Sequence, residues 1–251
     1  MGARSEPGSP TGRSSVRLGT MATGSLTAGF LVFPDLTQLD LTGPYEVLCR
    51  APGVRVVLVG TRPGPIRSEW GLLLGTDCTL DEAPPLDLLC VPGGVGVNAL
   101  LADDPVLDFV ARRGASAEWV TSVCTGALVL GAAGLLRGYR ATTHWLSMDL
   151  LAEFGATPVE ARVVHDRNRI TGGGITAGVD FGLALVGELR GRETAERIQL
   201  MMEYAPQPPF EAGSPGQAPA SLVHTVREDR ARVQEERRAR IRDAVRRRAL
   251  R

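Results

Sequence analysis

Three groups with useful chemistry follow apolar runs of this sequence, and the first is a thiol. Cys124 lies between WVTSV (119–123), which has the length and β-branched content of a buried strand, and TGALVLGAAGLL (125–136), which is long enough for a helix. A strand–turn–helix projects its turn residue from the carboxyl end of the strand. The N–H groups and dipole of the helix favour a thiolate there. Cys124 is therefore a candidate nucleophile, with a small buried core cysteine as the alternative.

A carboxylate and a glycine-rich turn follow two other apolar runs. Asp40 belongs to FPDLTQLDLTGPYE (33–46), and VPGGVGV (91–97) contains the turn. Ligands of open α/β sheets bind beyond the carboxyl ends of the strands, so these groups are expected to meet Cys124 as proton carrier and oxyanion hole. Each has a structural alternative. Asp40 could cap a helix that starts near Pro44, and the glycines could serve only a turn with positive φ.

The remaining candidates carry weaker patterns. Thr125 places a hydroxyl beside the thiol but could be only the first residue of its helix. His144 ends a short run, and no histidine follows Cys124, so the sequence contains no local Cys–His dyad. GGGITA (172–177) fits G-x-G-x-x-A, but it follows a predicted hairpin rather than a first strand. A helix N-terminus packed against the sheet explains these glycines better.

Five apolar runs are predicted to be the strands that position these residues. Their near-continuous hydrophobicity is typical of parallel strands that are covered on both faces. The runs are 26–33, 54–60, 86–94, 119–124 and the short 140–144. Helical patterns alternate with them, which predicts a doubly wound, mostly parallel α/β sandwich with helices on both faces. The helical patterns are 43–51, 104–114, 125–136 and 146–155.

Several single residues are expected to set the helix boundaries. Pro44 and Pro105 fit the first turns of their helices, and Asp103 or Asp104 fits the cap of the second helix. Gly114 and Gly155 are expected to end theirs.

Three later segments depart from the strand–helix alternation. Residues 71–84 are predicted to be a strand pair or a bent edge strand, and 161–174 a hairpin with its turn at 166–168. Two helices are expected over 176–191 and 192–210.

Composition gives the expected domain organisation. The Arg-, Ser- and Gly-rich residues 1–23 contain no apolar segment of a secretory signal and are expected to be a disordered leader. Residues 24–210 are expected to form the domain, 211–226 a loop on its surface, and 227–251 an Arg-rich helical or disordered tail. No apolar run reaches the roughly 20 residues of a membrane span. Four cysteines without metal-ligand spacing indicate a reducing cytoplasm.

The net charge of +0 hides a basic tail. Residues 227–251 hold 11 arginines against 5 acidic residues, a net +6, and the chain contains no lysine. Such a tail raises the possibility of nucleic-acid binding. However, its arginines alternate with Glu and Asp at helical spacings and almost no apolar stripe is visible, which favours a solvated, salt-bridged helix. No nucleic-acid partner is therefore expected.

Four segments together resemble the ThiJ/PfpI superfamily, and within it the isonitrile hydratase (cyclohexyl-isocyanide hydratase) group. They are SVCTGALVLGAAGLLRGYRATTHW (122–145), FPDLTQLDLTGPYEVL (33–48), VPGG (91–94) and ITGGGITAGVDFGLALV (170–186), within a resemblance that runs from about residue 26 to 215. The resemblance implies a flavodoxin-like sandwich with a nucleophile elbow. It also implies hydration of an isonitrile, R–N≡C, to an N-substituted formamide by a homodimer that uses no cofactor.

By resemblance, Cys124 is the nucleophile, Asp40 the acid/base and Thr125 a neighbouring polar group, while the N–H groups of Gly94 and Thr125 form an anion pocket. The sequence lacks the histidine that follows the cysteine in protease-like members, and has an aspartate where deglycase-like members carry a glutamate. Two alternatives stay open. One is a small-molecule or redox-sensing domain of a regulator, and the other is a different Cys-dependent hydrolase or lyase.

Overall fold

The computed structural model describes residues 24–249, and its centre is a seven-stranded sheet. The strand order is β10-β11-β7-β6-β1-β2-β5, and every neighbouring pair is parallel except β10 with β11. Two short pairs, β3-β4 and β8-β9, lie outside this sheet. The strands are β1 Leu26–Val32, β2 Val54–Gly60, β3 Ile66–Arg67, β4 Leu73–Leu74, β5 Cys78–Thr79, β6 Leu88–Val91, β7 Trp119–Val123, β8 Arg140–Ala141, β9 Thr157–Pro158, β10 Val163–Asp166 and β11 Arg169–Gly172.

The helices pack in two groups, one on each face of the sheet. They are α1 Gln38–Leu48, α2 Val97–Leu100, α3 Asp104–Ser116, α4 Gly126–Ala132, the 3₁₀-helix Trp145–Phe154, α5 Ala177–Arg190, α6 Arg192–Met201, α7 Ala220–Asp229 and α8 Ala231–Ala249. Helices α1, α5 and α6 contact one another, while α2, α3, α4, α8 and the 3₁₀-helix form the second group. Strand β7 contacts both α4 and α5. The predicted doubly wound sandwich is confirmed.

The fifth predicted strand is wrong. Of residues 140–144, only β8 is extended, and it pairs with β9 outside the main sheet. The place beside β7 belongs to β11, whose four residues are all buried and which forms the predicted hairpin with β10. A hairpin strand was therefore the missing member of the parallel core.

Three predicted helix boundaries are confirmed and two are wrong. Pro105 lies in the first turn of α3, as expected. Asp103 caps α3, because its Oδ1 accepts the Val106 N–H at 3.1 Å, and Gly155 closes the 3₁₀-helix with φ 72. Gly114 lies inside α3, which continues to Ser116. Pro44 lies inside α1, whose first turn precedes it and contains Asp40.

The carboxyl-terminal helix packs against the domain, so the expectation of a solvated tail is wrong. Ile241 and Ala244 are fully buried and Arg237 is only 4% exposed. They recur at helical spacing and face the 3₁₀-helix and α4. An arginine in the middle of this narrow stripe hid it in the sequence. Helix α7 also begins at Ala220, within the segment predicted to be a loop, and the expected leader 1–23 lies outside the described residues.

Candidate functional site

Cys124 occupies a strained turn between β7 and α4, as an elbow requires. Its φ is 55, a value that L-residues rarely adopt. Its N–H donates to the Gly172 carbonyl at 3.0 Å, and its own carbonyl accepts the Thr143 hydroxyl at 2.7 Å. A side chain at Gly126 would overlap the Val91 carbonyl oxygen, so the helix starts close against the sheet. These contacts hold the turn in place.

The loops that follow β1 and β6 meet beside this turn. The Thr37 N–H donates to the Gly93 carbonyl at 2.9 Å, and Leu36 and Gly94 form an isolated antiparallel bridge. Gly94 has φ 132, and a Cβ there would lie 2.5 Å from the Thr37 backbone nitrogen. The glycines are therefore needed for this close approach.

Asp40 is fully buried and reaches across to the glycine turn. Its Oδ2 accepts the Gly93 N–H at 3.0 Å, while its Oδ1 has no N–H or O–H partner among the described residues. Thr37, not Asp40, precedes the first turn of α1. The alternative of a capping aspartate is therefore wrong, and the carboxyl group is left to interact with the thiol of Cys124.

Burial raises the pKa of Asp40 to about 7. Hydrogen bonding to the Cys124 side chain and to the Gly93 N–H offsets part of this effect, and the charge of Glu69 adds to it. A carboxyl group with this pKa both donates and accepts a proton at neutral pH, which suits general acid–base catalysis.

The Cys124 side chain is a thiol at rest rather than the expected thiolate. Burial raises its pKa well above the usual range, and the negative charge of Asp40 raises it further. The Thr125 N–H and the charge of Arg237 act in the opposite direction. Helix α4 has only seven residues, and its N-terminus does not overcome the loss of solvation.

Thr125 and Gly94 bind each other, which changes the expected anion pocket. The Thr125 hydroxyl oxygen accepts the Gly94 N–H at 3.0 Å and lies 3.3 Å from the Gly94 carbonyl oxygen. The Gly94 N–H is thus occupied, whereas the Thr125 N–H interacts with the Cys124 sulfur. One of the two expected N–H donors is available to the thiol.

A cavity of about 100 Å³ opens beside Cys124. Its lining combines elbow residues, the loops that follow β1 and β6, helix α8 and the residue that joins α8 to α7. The lining residues are Thr37, Glu69, Gly94, Val95, Cys124, Thr125, His144, Leu146, Ile175, Arg230, Val233, Gln234 and Arg237.

His144 lies on this cavity as a neutral, structural imidazole. Its Nδ1 accepts the Leu146 N–H at 3.3 Å and so caps the 3₁₀-helix. Burial lowers its pKa to about 4, helped by the charges of Arg237 and Arg230. An imidazole with this pKa is a weak base.

Glu69, Gln234 and Arg237 were not among the predicted site residues. Glu69 follows the short strand β3, in residues 61–70, for which no element was predicted. The two helical residues belong to the tail that was expected to be solvated. The spacing of Val233, Arg237 and Ile241 by four residues was the available signal, because the stem of an arginine can bury with its apolar neighbours.

Among residues 24–249, no group of three or more His, Cys, Asp or Glu side chains is arranged to hold a metal ion. No helix in that range has both the length and the apolar character that crossing a bilayer demands.

The family pattern described as DJ-1/PfpI matches residues 27–188, which contain the elbow, Asp40 and the glycine turn. The chain belongs to the DJ-1/PfpI family. A ThiJ/PfpI family protein from Pseudomonas syringae has the same fold, with a TM-score of 0.85 and 46% identity over 87% of this chain and 91% of that one. The flavodoxin-like fold and the superfamily expected from the resemblance are confirmed.

Two curated relatives within the DJ-1/PfpI family carry different names. The isonitrile hydratase of Pseudomonas putida is 55% identical over 203 residues, which span 81% of this chain and 89% of that protein. The HTH-type transcriptional regulator GbdR of Pseudomonas aeruginosa is 33% identical over 184 residues, 70% of this chain but 50% of the regulator. The chain is therefore more similar to the hydratase, over nearly the whole length of that enzyme, than to the regulator.

Proposed function

We propose that this protein hydrates an isonitrile to an N-substituted formamide, with Cys124 as nucleophile and Asp40 as acid/base. The observation that carries the activity is 55% identity with an isonitrile hydratase over 89% of that enzyme. The assignment of the residues is supported by the geometry, in which a thiol at a strained elbow adjoins a buried carboxyl group that titrates near neutrality.

The first half of the reaction forms a thioimidate. Ionised Asp40 takes the thiol proton of Cys124, and the sulfur attacks the terminal isonitrile carbon, which is electrophilic. A carbon–sulfur bond forms as one π bond of the carbon–nitrogen triple bond breaks, and the carbon receives the proton from Asp40. The product is the thioimidate R–N=CH–S, in which the sulfur is that of Cys124. Interaction of the thiol with the Thr125 N–H aids ionisation of the sulfur.

The second half adds water. Asp40 accepts a proton from the water as it attacks the thioimidate carbon, and passes this proton to the nitrogen to give R–NH–CH(OH)–S. The carbon–sulfur bond then breaks, the hydroxyl proton is lost as the carbonyl forms, and the sulfur recovers its proton. The sum is one isonitrile and one water converted to one formamide, with no electron transfer.

A second, larger cavity adjoins the first and provides room for the R group. It measures about 640 Å³, lies between the 3₁₀-helix and the carboxyl-terminal helices, and shares Leu146 and Gln234 with the cavity beside Cys124. Trp145, Met148 and Pro158 give it an apolar side. An uncharged substituent attached to the isonitrile carbon–nitrogen group fits this arrangement.

The alternatives receive less support. The chain spans half the length of the regulator GbdR at 33% identity, against nearly all of the hydratase at 55%. A different Cys-dependent hydrolase or lyase would use the same thiol and carboxyl group on the same fold. A small-molecule substrate, a homodimer and a reducing, cytoplasmic setting complete the proposal, the last supported by four free cysteines.

The deciding experiment is a turnover screen of the purified protein with alkyl and aryl isonitriles. Formamide production is followed by NMR, with Cys124→Ser and the exposed-site variant Cys49→Ser as a matched pair. We expect formamide from the wild type and Cys49→Ser only. Absence of formamide with every isonitrile rejects the activity, whereas equal turnover by Cys124→Ser rejects the assigned nucleophile.

A further inference from the structure

Arg237 is a buried cation whose acceptors are all neutral. Its side chain is nearly inaccessible, at 4% exposure. Nε donates to the Asn98 Oδ1 at 2.8 Å, Nη1 to the Ser147 hydroxyl at 3.1 Å and Nη2 to the Gly94 carbonyl at 3.4 Å. Within residues 24–249, no ion pair joins it to a carboxylate. Burial of a charge without a counter-ion is costly, so the position calls for an explanation.

Neighbouring groups fix the position of this guanidinium. The Ser147 hydroxyl also donates to the Gln234 Oε1 at 3.1 Å, and the Asn98 amide donates to the Val233 carbonyl at 3.3 Å. The acceptors of Arg237 therefore bind its own helix as well. The third acceptor, Gly94, is the residue bound by Thr125 next to the thiol, so Arg237 is held against the glycine turn of the site.

Other charges compensate Arg237 only at a distance, because the carboxylates of Glu69 and Glu236 act on it without forming an ion pair. Glu69 accepts the Thr37 hydroxyl at 3.0 Å and lies 4.0 Å from Arg230, which is half exposed. His144 is neutral. The pKa of Asp40 is about 7, so this carboxyl group is only partly ionised at neutral pH.

We propose that Arg237 of helix α8 supplies the positive charge of this site and stabilises negative charge on the Cys124 sulfur and on the atoms bonded to it. The inference deepens the proposed function and rests on it for the identity of the reacting carbon. Charge develops first on sulfur and then on the isonitrile carbon before its protonation. A fixed, buried cation stabilises both without reorganising. Arg237 thus takes over the role expected of the occupied Gly94 N–H.

The charge of the cavity is measured with two alkylating reagents of almost equal size, anionic iodoacetate and neutral iodoacetamide. Both react with the thiolate, so the ratio of their rate constants cancels the ionisation of the thiol and reports the local field. Peptide mapping separates Cys124 from the other thiols, and the exposed Cys49 provides an internal reference. In the wild type at pH 8, we expect the iodoacetate/iodoacetamide ratio at Cys124 to exceed that at Cys49 by at least about tenfold.

Variants on the same helix identify the source of the field. Arg237→Met should lower the ratio at Cys124 by about tenfold or more, whereas Arg237→Lys should keep most of it. The control is Arg240→Met, because Arg240 is half exposed and lies 3.9 Å from Glu236 on the same helix. It should leave the ratio unchanged.

Three results overturn the proposal. They are a wild-type ratio at Cys124 no higher than at Cys49, no iodoacetate reaction at Cys124, and a ratio that Arg237→Met does not lower. The wild-type comparison remains decisive if Arg237→Met fails to fold. Since no isonitrile is used, failure here leaves the hydratase activity intact, and absence of hydratase activity leaves this result intact.

Discussion

Asp40 combines complete burial, one satisfied oxygen and one oxygen without an N–H or O–H partner. A purely structural aspartate would satisfy both oxygens, because an unpaired buried acceptor weakens the fold. Its burial also gives a carboxyl group whose pKa of about 7 suits the proton transfer that we propose at the elbow. At the scale of single residues, the proposed catalytic role of Asp40 therefore comes with a loss of stability.

Asp40→Asn is expected to lower turnover by at least about a hundredfold, since general acid–base catalysis contributes ~10²–10⁴-fold and an amide carries no transferable proton. The amide oxygen can still accept the Gly93 N–H, so the variant should fold. Formamide production and thermal unfolding are measured together. If the variant retained most of its turnover, a group other than Asp40 would have to carry the proton.

The same carboxyl group makes the free energy of unfolding depend on pH. Its pKa is about 7 in the folded protein against 3.8 when unperturbed, so the folded state binds more protons between these values. Its contribution to the free energy of unfolding therefore falls as pH rises from 4 to 7, by up to about 4 kcal/mol. The contribution of His144 instead rises between pH 4 and 6.5, because its pKa in the folded protein is lowered to about 4.

The free energy of unfolding of the wild type should thus fall between pH 4.5 and pH 8 relative to that of Asp40→Asn. The variant is therefore favoured more at pH 8 than at pH 4.5. Urea unfolding at the two pH values measures this difference, from which the His144 contribution cancels. A constant difference would show that Asp40 is not buried as an ionisable group.

At the scale of elements, the 3₁₀-helix and α8 line both the cavity beside Cys124 and the larger cavity, which share Leu146 and Gln234. Leu146→Trp should narrow the space where the two cavities meet. We expect KM for a bulky isonitrile such as cyclohexyl isonitrile to rise by about tenfold or more, with little change for methyl isonitrile. Met148→Trp, which lines only the larger cavity, is the comparison. Equal effects of Leu146→Trp on both substrates would place the R group elsewhere.

The elements most visible in the sequence are those that the core dictates. Strands β1, β2, β6 and β7 are continuous apolar runs, so their type and parallel packing follow from burial on both faces. Cys124 and Asp40 were found because each follows such a strand. The start of α1 was missed because Pro44 is a familiar first-turn residue, and only packing reveals that the helix begins earlier. The Thr125–Gly94 contact joins distant segments and left no sequence signal.

At the scale of the whole molecule, the tail belongs to the site. Sequence patterning predicts that removal of 227–251 leaves folding and turnover intact, because the arginines look solvated. The buried Ile241, Ala244 and Arg237 lead to the opposite expectation. Arg237 escaped detection because its partners lie far away in sequence. Before the helix is docked, it also resembles the nine other arginines of residues 227–249, which are exposed or half-exposed.

Truncation after Val226 should lower turnover by at least about tenfold and reduce thermal stability, because apolar surface under α8 becomes exposed and Arg237 is lost. Activity, unfolding and size-exclusion elution are compared with a chain that lacks only 249–251. The shorter truncation should behave as the full chain does. A fully active protein without 227–251 would refute the structural role of α8.

The position of Arg237 so late in the chain has a consequence for the order of synthesis. A ribosome completes the family domain, with Cys124 and Asp40 inside residues 27–188, before it makes helix α8. On the proposal above, the nascent domain carries its thiol without the cation that stabilises the anionic sulfur. We therefore expect the thiol of the emerging polypeptide to be less reactive until helix α8 has been made and has docked.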